Sequence, residues 1–326
     1  MDGKGAQTRQ ERVWSSRDAS RGDPQGAGHG WHRRNLSGRF RLQTQDWLTR
    51  TRTAKIRRIR APDSQLPLEA YARTMKPSAT GRILFWRGGS LWIGRAGEPA
   101  GFHAHHAVQI SLPFAPGRVR FQIPSEDWKS YGAAIIAPEQ PHAFEARGQL
   151  MAQIFIEPES RRGRELQLRC GDQGVAELDA AALQSEVAAL AAAYEDRASD
   201  EELITLAHAA AAKIAGASTS GQSGDPRVAL AIEMIRTHLS GSISLGTIAG
   251  AVHLSPDRFR HLFQEETGVG LRPYVLWLRL ERSLSTYVAG GTLTDAAYAG
   301  GFADSAHFSR TFKRMFGISP VSVRPE

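Results

Sequence analysis

Cysteine is nearly absent from this 326-residue chain, in which Cys170 stands alone. A single thiol excludes an internal disulfide and any metal site built on paired cysteines, and this fits a reducing compartment. Long apolar runs are also missing, since no stretch reaches the roughly 18 residues that a membrane span needs. The first residues lack the apolar segment of a secretion signal. These absences predict a cytoplasmic protein with no membrane partner.

The net charge of +8 is spread unevenly along the chain. Residues 1–60 contain 15 Lys and Arg against 5 Asp and Glu, residues 61–225 contain 15 against 20, and residues 226–326 contain 11 against 8. Residues 1–75 lack a sustained apolar period, so we expect a basic, disordered tail. Two interpretations stay open: an arm that follows DNA phosphates, or a segment outside a functional protein that begins near Met75. The second is favoured.

The last hundred residues contain the same small unit twice, marked by two phenylalanines and a closing glycine in each copy. The matched positions are Phe259, Phe263 and Gly268 in the first copy and Phe308, Phe312 and Gly317 in the second. These pairs share an offset of 49, whereas Leu254 and Phe302 are 48 apart, so the second copy has one inserted residue in its turn. Each copy has the pattern of a helix-turn-helix, and two of them indicate a DNA-binding protein.

Local signals predict where the second helix of each unit begins and what it exposes. Ser255 suits an N-cap, Pro256 suits the first helical position, and Asp304 is the expected N-cap of the second copy. The phenylalanines form a buried stripe, which leaves polar side chains on the outer face. The residues expected to contact DNA are Ser255, Arg258, Arg260, His261, Gln264, Ser305, His307, Ser309, Arg310, Lys313 and Arg314.

A lone helix-turn-helix pattern is common by chance, and an isolated Arg310 or Lys313 is more often part of a solvated surface. The matched repeat changes this balance in favour of DNA binding. His261 and His307 suit DNA contact and plain surface equally well. Between the copies, the apolar spacing predicts one connecting helix from about Leu271 to Val288.

Residues 226–326 resemble the DNA-binding domain of the AraC/XylS family of bacterial transcription regulators. The resemblance is strongest in the second copy, in the stretch DAAYAGGFADSAHFSRTFKRMFGISP. Two positions depart from the family pattern: Ser283 stands where alanine is usual, and Val323 stands where an aromatic residue is common. The resemblance implies a transcription regulator that binds double-stranded DNA, contacts RNA polymerase, needs no cofactor and is not an enzyme.

Residues 80–160 contain short apolar or alternating runs separated by turn residues, which is typical of an antiparallel sandwich or barrel. Within them, FHAHHAVQ and GAAIIAPEQPHAF resemble the two halves of the cupin motif. Many AraC/XylS regulators use such a barrel to sense a small molecule. The expected fold is therefore α+β with two domains: a cupin-like, effector-sensing barrel over residues 76–160 and the double helix-turn-helix domain.

Four residues of the barrel are candidates to contact the effector. His103 and His105 fill the HxH of the cupin motif, Gln109 stands where cupin enzymes have an acid, and His142 takes the last ligand position. Gln109 shares a face with the first two if one strand runs unbroken through them. Three imidazoles can hold zinc, iron or nickel. In regulatory cupins such histidines usually persist without metal, so the expectation is no metal.

Other features of the barrel leave its ligand class open. The aromatic candidates to line an apolar pocket are Trp86, Trp92, Phe114 and Phe121, although aromatic residues in strands are more often core. Arg118 or Arg120 is expected to meet an anion in this pocket. Two rival functions also stay open. One is a metal-dependent cupin enzyme with an appended helical domain, and the other is a ligand-independent DNA-binding protein whose barrel is only a dimerisation scaffold.

Residues 161–216 form the predicted helical segment between the domains. Its alanine-rich part is expected to be helical from residue 174, with Asp200 as the N-cap of a second helix. In the AraC/XylS family this region commonly packs on the barrel and forms the dimer contact, so the resemblance implies a homodimer. Helices that pack only within one chain are the alternative. Residues 217–225 are polar and are predicted to be a flexible linker.

Overall fold

The computed structural model describes residues 79–325, apart from residues 115–116, 172–173 and 217–223. The predicted tail over residues 1–75 and most of the predicted linker therefore lie outside the described residues. The strands are β1 (Ala79–Trp86), β2 (Gly89–Ala96), β3 (Ala100–His103), β4 (Val108–Pro113), β5 (Val119–Gln122), β6 (Lys129–Tyr131), β7 (Ala134–Ile136), β8 (His142–Glu145), β9 (Leu150–Ile156), β10 (Val175–Glu177) and β11 (Val323–Pro325). The α-helices are α1 (Arg161–Gln167), α2 (Gln184–Glu195), α3 (Asp200–Ala215), α4 (Pro226–Thr237), α5 (Leu245–Ala251), α6 (Pro256–Thr267), α7 (Leu271–Val288), α8 (Leu293–Ala299) and α9 (Ser305–Phe316).

The first domain is built from two sheets. One has seven strands in the order β10-β7-β4-β9-β2-β1-β11, and the other has four in the order β3-β8-β5-β6. Neighbouring strands are antiparallel, except that β11 pairs with β1 in parallel. The predicted α+β fold with an antiparallel first domain is confirmed. β11 carries the C-terminal end of the chain back onto this domain, which ties the two domains through backbone hydrogen bonds.

Strand β4 shows how the sheet separates an apolar layer from a polar interior. All six of its residues are buried. Ile110 and Leu112 pack with residues of α1 to α3, such as Leu166 and Leu203, in one apolar cluster. Alternation along the strand places Gln109 on the opposite face, toward the four-stranded sheet. The helices thus cover one face of the seven-stranded sheet and leave the other face to the interior.

The predicted helix over residues 174–183 is wrong. Val175–Glu177 is strand β10, whose register with β7 pairs Val175 with Ile136, and the helix begins only at Gln184. A free edge of β7 offers backbone hydrogen bonds to this segment, and such tertiary pairing outweighs local helix propensity. The second helix is capped by Ser199, whose hydroxyl accepts from the Glu202 amide, so Asp200 is its first residue and not its cap.

The second domain contains α4 to α9 and repeats its central unit as predicted. Helices α5 and α8 have seven residues each and are offset by 48, whereas α6 and α9 have twelve each and are offset by 49. The inserted residue therefore lies in the turn. Ser255 and Asp304 are N-caps, and Gly268 and Gly317 end the helices in the left-handed conformation. Helix α7 has the predicted bounds.

The two domains share one apolar core. Phe155 of β9 and Ala107 belong to the same buried cluster as the phenylalanines of α6 and α9. The Trp92 ring of β2 is stacked on Phe312, with ring centroids 6.4 Å apart, and lies 4.9 Å from the Phe316 ring. The predicted phenylalanine stripe thus packs on both sides, inside the helical unit and against the sheet.

Among the described residues, every helix is too short or too polar to span a membrane.

Gly300, in the turn between α8 and α9, lies against α7. A Cβ at this position overlaps the Ser283 hydroxyl and lies 2.5 Å from the Arg279 carbonyl oxygen. Ser283 is itself fully buried, and its hydroxyl has no hydrogen-bond partner among the described residues. Serine is larger than the alanine that is usual at this position, so Ser283 narrows the space between α7 and Gly300.

We expect Gly300→Ala to lower the free energy of unfolding by about 1 to 3 kcal/mol, because the added methyl group overpacks this crossing. Gly250→Ala is the matched control, since a Cβ there meets nothing within 4 Å and alanine favours helix α5. Urea denaturation of the full chain measures both. Equal stability of the two variants contradicts the close packing of α8 on α7.

Candidate functional site

Helix α9 presents a cationic face to solvent. Arg310, Lys313 and Arg314 are exposed and spaced three and four residues apart, so they lie on one side of the helix. None of the three forms an ion pair with another described residue. On the opposite side, Phe308 and Phe312 are fully buried and fix the helix to its domain. This arrangement holds three free positive charges on a rigid element, as phosphate or base contact requires.

The other residues predicted on α9 are less available. The Ser309 hydroxyl donates to the Ser305 carbonyl at 2.8 Å, and both residues are half-buried. His307 is exposed, but its ring packs edge-on against Phe302 at 5.1 Å. The Ser309 hydroxyl and the His307 imidazole therefore already have partners inside the domain, unlike the three cations.

Helix α6 has a more mixed face. Arg258 and His261 are exposed, Gln264 is half-buried, and Arg260 is paired with Asp257 at 2.8 Å. The Ser255 hydroxyl caps the helix by accepting from the Arg258 amide at 3.3 Å. The repeat aligns His261 with Arg310 and Gln264 with Lys313, since both pairs are 49 apart. The first copy thus offers fewer unpaired positive charges than the second.

The barrel candidates meet in one buried cluster between the two sheets. His103 of β3 and His142 of β8 are direct cross-strand partners, and their ring centroids are 4.2 Å apart. His105 lies 5.3 Å from His142 and bonds to Gln109 through Nε2 and Oε1 at 2.8 Å. The strand does not run unbroken, because the chain leaves β3 after His103 and enters the other sheet at Val108.

The environment of the cluster keeps its imidazoles neutral. Burial lowers the pKa of His103 to about 3 and the pKa of His105 to about 4. Burial also lowers the pKa of His142 well below its ordinary value, and the neighbouring His103 and His105 add to this effect. A charged imidazolium is disfavoured at all three positions, so each ring keeps one nitrogen lone pair free for a ligand.

A cavity of about 100 Å³ opens beside the cluster. His103 and Gln109 line it together with Trp92, Phe155 and Phe316, of which the last belongs to α9. Of the other predicted pocket residues, Phe114 and Phe121 are core and Trp86 contacts His208. The expectation that Arg118 or Arg120 meets an anion there is wrong, since neither residue lines the cavity. Arg118, just before β5, bonds to Ser130, and Arg120 of β5 pairs with Glu145 of β8.

A buried polar contact that the sequence pattern did not predict joins the two domains. The Glu159 carboxylate accepts from the Tyr274 hydroxyl of α7 at 2.6 Å and pairs with His106 Nε2 at 2.9 Å. Burial lowers the pKa of His106, but the charge and hydrogen bond of Glu159 outweigh it and raise the pKa. Next to it, Glu157 pairs with Arg236 of α4. No sequence motif marks these residues, since the partners lie 53, 79 and 115 positions apart in the chain.

We expect Tyr274→Phe to lower the free energy of unfolding by about 1 to 3 kcal/mol, because it removes a donor from a buried carboxylate. Tyr298→Phe is the control, since Tyr298 is 86% exposed and its change is expected to stay within about 0.5 kcal/mol. Both are measured by urea denaturation. If the two variants lose the same stability, the interdomain hydrogen bond of Tyr274 contributes nothing measurable.

Comparison with known proteins concerns mainly the second domain. Residues 248–325 match a family described as a helix-turn-helix domain. The chain is 34% identical over 105 residues to the arabinose operon regulatory protein of Escherichia coli strain K12, covering 31% of this chain and 35% of that protein. It is 32% identical over 100 residues to the HTH-type transcriptional activator RhaS of Escherichia coli O139:H28, covering 30% and 36%. The chain thus spans about a third of the length of the curated relatives that it matches.

A solved structure resembles both domains together. The crystal structure of an apo ToxT variant from Vibrio cholerae strain SCE256 covers 73% of this chain and 97% of its own, with a TM-score of 0.51 and 12% identity. At this identity the likeness concerns the fold. The repeated unit, its caps and its curated relatives agree on one assignment: the second domain of this chain is an AraC-type helix-turn-helix domain.

Proposed function

We propose that this chain is a sequence-specific, DNA-binding transcription regulator of the AraC/XylS type. The observation that carries the proposal is the repeated unit, whose second copy exposes Arg310, Lys313 and Arg314 on one face of α9, with no ionic partner among the described residues. The curated relatives with matching C-terminal parts are named as regulators, so a catalytic role is not part of the proposal. By the same resemblance, the proposed regulator acts as a homodimer and contacts RNA polymerase.

In this proposal α6 and α9 enter successive major grooves on one side of the duplex, about 34 Å apart. Arginine reaches guanine edges with two hydrogen bonds, and lysine meets guanine edges or phosphates. Because α9 carries three unpaired cations and α6 carries acids beside its arginines, the second copy supplies more of the electrostatic attraction. The first copy contributes mainly through Arg258, His261 and Gln264.

The barrel domain is the proposed sensor, with His103, His105, Gln109 and His142 in contact with the effector. Support comes from the position of the cavity, which is lined by barrel residues and by Phe316 at the end of α9. A ligand that prefers one arrangement of these walls shifts the population of that arrangement. The orientation of α9, and with it the affinity for DNA, then depends on occupancy of the cavity.

The function is tested by selecting genomic fragments that the purified full chain retains and sequencing them. The proposal expects a motif with two major-groove half-sites about one helical turn apart, or about 10 base pairs. Retention without sequence preference, lost steeply as salt increases, means that phosphate attraction alone binds the DNA. That outcome contradicts sequence-specific regulation.

Within a selected site, we expect Arg310→Ala to weaken binding by about 1 to 3 kcal/mol, because the side chain is free to reach a base edge. Arg161→Ala removes the same charge from α1 of the first domain and is the matched control, with an expected change below about 0.5 kcal/mol. Fluorescence anisotropy with labelled site and scrambled duplexes measures both variants. Equal affinities of Arg310→Ala and the parent exclude this residue from the DNA interface.

A further inference from the structure

The histidine cluster has hydrogen bonds that hold Nδ1 of each ring against a backbone carbonyl oxygen. Nδ1 of His103 lies 2.7 Å from the Gly101 carbonyl oxygen, Nδ1 of His105 lies 3.0 Å from that of Ala107, and Nδ1 of His142 lies 2.8 Å from that of Gln140. A carbonyl oxygen only accepts, so Nδ1 donates in His103 and His142, and Nε2 of these neutral rings keeps a free lone pair. In His105 both ring nitrogens face accepting oxygens, so one of them donates and the other keeps the lone pair. Metal-bound histidines have this same arrangement, in which a second bond orients the ring.

Two lone pairs of the cluster lack donors among the described residues. Nε2 of His142 is buried and has no hydrogen-bond partner there. Both nitrogens of His105 face accepting oxygens, so its lone pair has no donor whichever nitrogen carries the proton. Each residue of the triad offers a ligand atom, and the three atoms lie within 4.8 Å of one another. An unpaired buried acceptor lowers folding stability by about 1 to 3 kcal/mol. The cluster therefore destabilises the core, but its lone pairs are available to a metal ion.

We propose that His103, His105 and His142 bind one divalent first-row transition-metal ion, such as Zn²⁺, and that this ion is the effector of the regulator. The effector part rests on the proposed function. Neutral imidazole is a preferred ligand of these ions. Bonds of about 2.0 to 2.1 Å at tetrahedral angles place two nitrogens of one zinc ion about 3.4 Å apart. The three ligand atoms lie within 4.8 Å of one another, so the rings move together when the ion binds. The Oε1 of Gln109 is placed to serve as a fourth, neutral ligand.

The alternative of magnesium or calcium does not fit this donor set. Both ions prefer oxygen ligands and several carboxylates or waters, whereas the cluster offers three nitrogens and one amide oxygen. The side chains around it, including Phe155 and Phe316, are apolar and exclude competing water. The cavity lined by His103 and Gln109 borders the cluster on one side and leaves room there for a further ligand of the ion.

The cluster lies directly against the end of the proposed recognition helix. The Gly101 amide donates to the Gly317 carbonyl at 3.2 Å, and a Cβ added to Gly317 would lie 2.7 Å from Nδ1 of His103. The Phe316 ring is stacked near His105, with centroids 6.0 Å apart. An ion that draws the three rings together therefore acts on the two residues that end α9. This contact makes the position of α9 depend on metal occupancy.

Cobalt spectroscopy tests the site without DNA. Tag-free, chelator-treated full chain is titrated with Co²⁺, and we expect visible absorption bands of four- or five-coordinate cobalt that saturate at one ion per chain and are displaced by Zn²⁺. His105→Asn is expected to weaken binding by more than about 100-fold. His253→Asn, in the exposed turn between α5 and α6, is the control and is expected to bind like the parent. Melting temperatures of the metal-free variants show whether each one folds.

Absence of the bands in the folded parent overturns the site, and so does unchanged binding in a folded His105→Asn variant. If that variant does not fold, His142→Asn is used in its place, and the parent titration still decides whether the site exists. If the histidine-cluster variant that folds binds Co²⁺ as tightly as the parent does, the ion lies elsewhere on the protein, and this result also overturns the proposal.

DNA binding by the full chain tests the effector role separately. We expect the affinity for a selected site to change by roughly 5- to 150-fold between Zn²⁺-loaded and chelator-treated parent, and to stay unchanged in His105→Asn. Equal affinities of loaded and metal-free parent overturn the effector role while the cobalt result stands. If neither state binds any sequence specifically, the proposed function fails together with the effector role, and the cobalt titration alone then judges the site.

Discussion

The close contact between Gly317 and Gly101 is the constraint on which the arrangement of the molecule depends. Gly317 ends α9 in the left-handed conformation, with φ of 72°, which favours glycine. Its carbonyl accepts from the Gly101 amide, and a side chain there would collide with β3. One residue therefore both terminates the proposed recognition helix and places that terminus beside His103. Any change in the histidine cluster reaches α9 within one contact.

Among the remaining contacts between the domains, apolar groups stabilise the interface and polar groups fix its orientation. The shared core around Phe155, Phe312 and Phe316 supplies most of the stabilisation, because burial of aromatic area is the largest favourable contribution. The buried bonds of Glu159 to His106 and Tyr274 resist a shift of one domain against the other, because a displaced carboxylate would stay buried without donors. These bonds favour a discrete orientation of the domains over a range of orientations, and a discrete orientation is what a ligand can switch.

Both proposed recognition helices are tied to the barrel domain, but by different means. Glu266 of α6 pairs with Arg164 of α1 at 3.5 Å, whereas α9 is held through its closing glycine and Phe316. The first tie is a partly exposed ion pair that contributes little and weakens with salt. The second is packed and insensitive to salt. The copy with the stronger cationic face is thus the one more firmly linked to the histidine cluster.

The sequence by itself determined the repeated unit, its caps and its offsets, because N-caps, closing glycines and the phenylalanine stripe are local signals that act within a few residues. It also indicated His103, His105 and His142, since a short motif carries them. Tertiary structure alone decided that Val175–Glu177 is a strand, that Gln109 reaches the cluster from the other sheet, and that Glu159 joins Tyr274. These outcomes depend on pairing between residues far apart in the chain, and local propensity carries no information about such pairing.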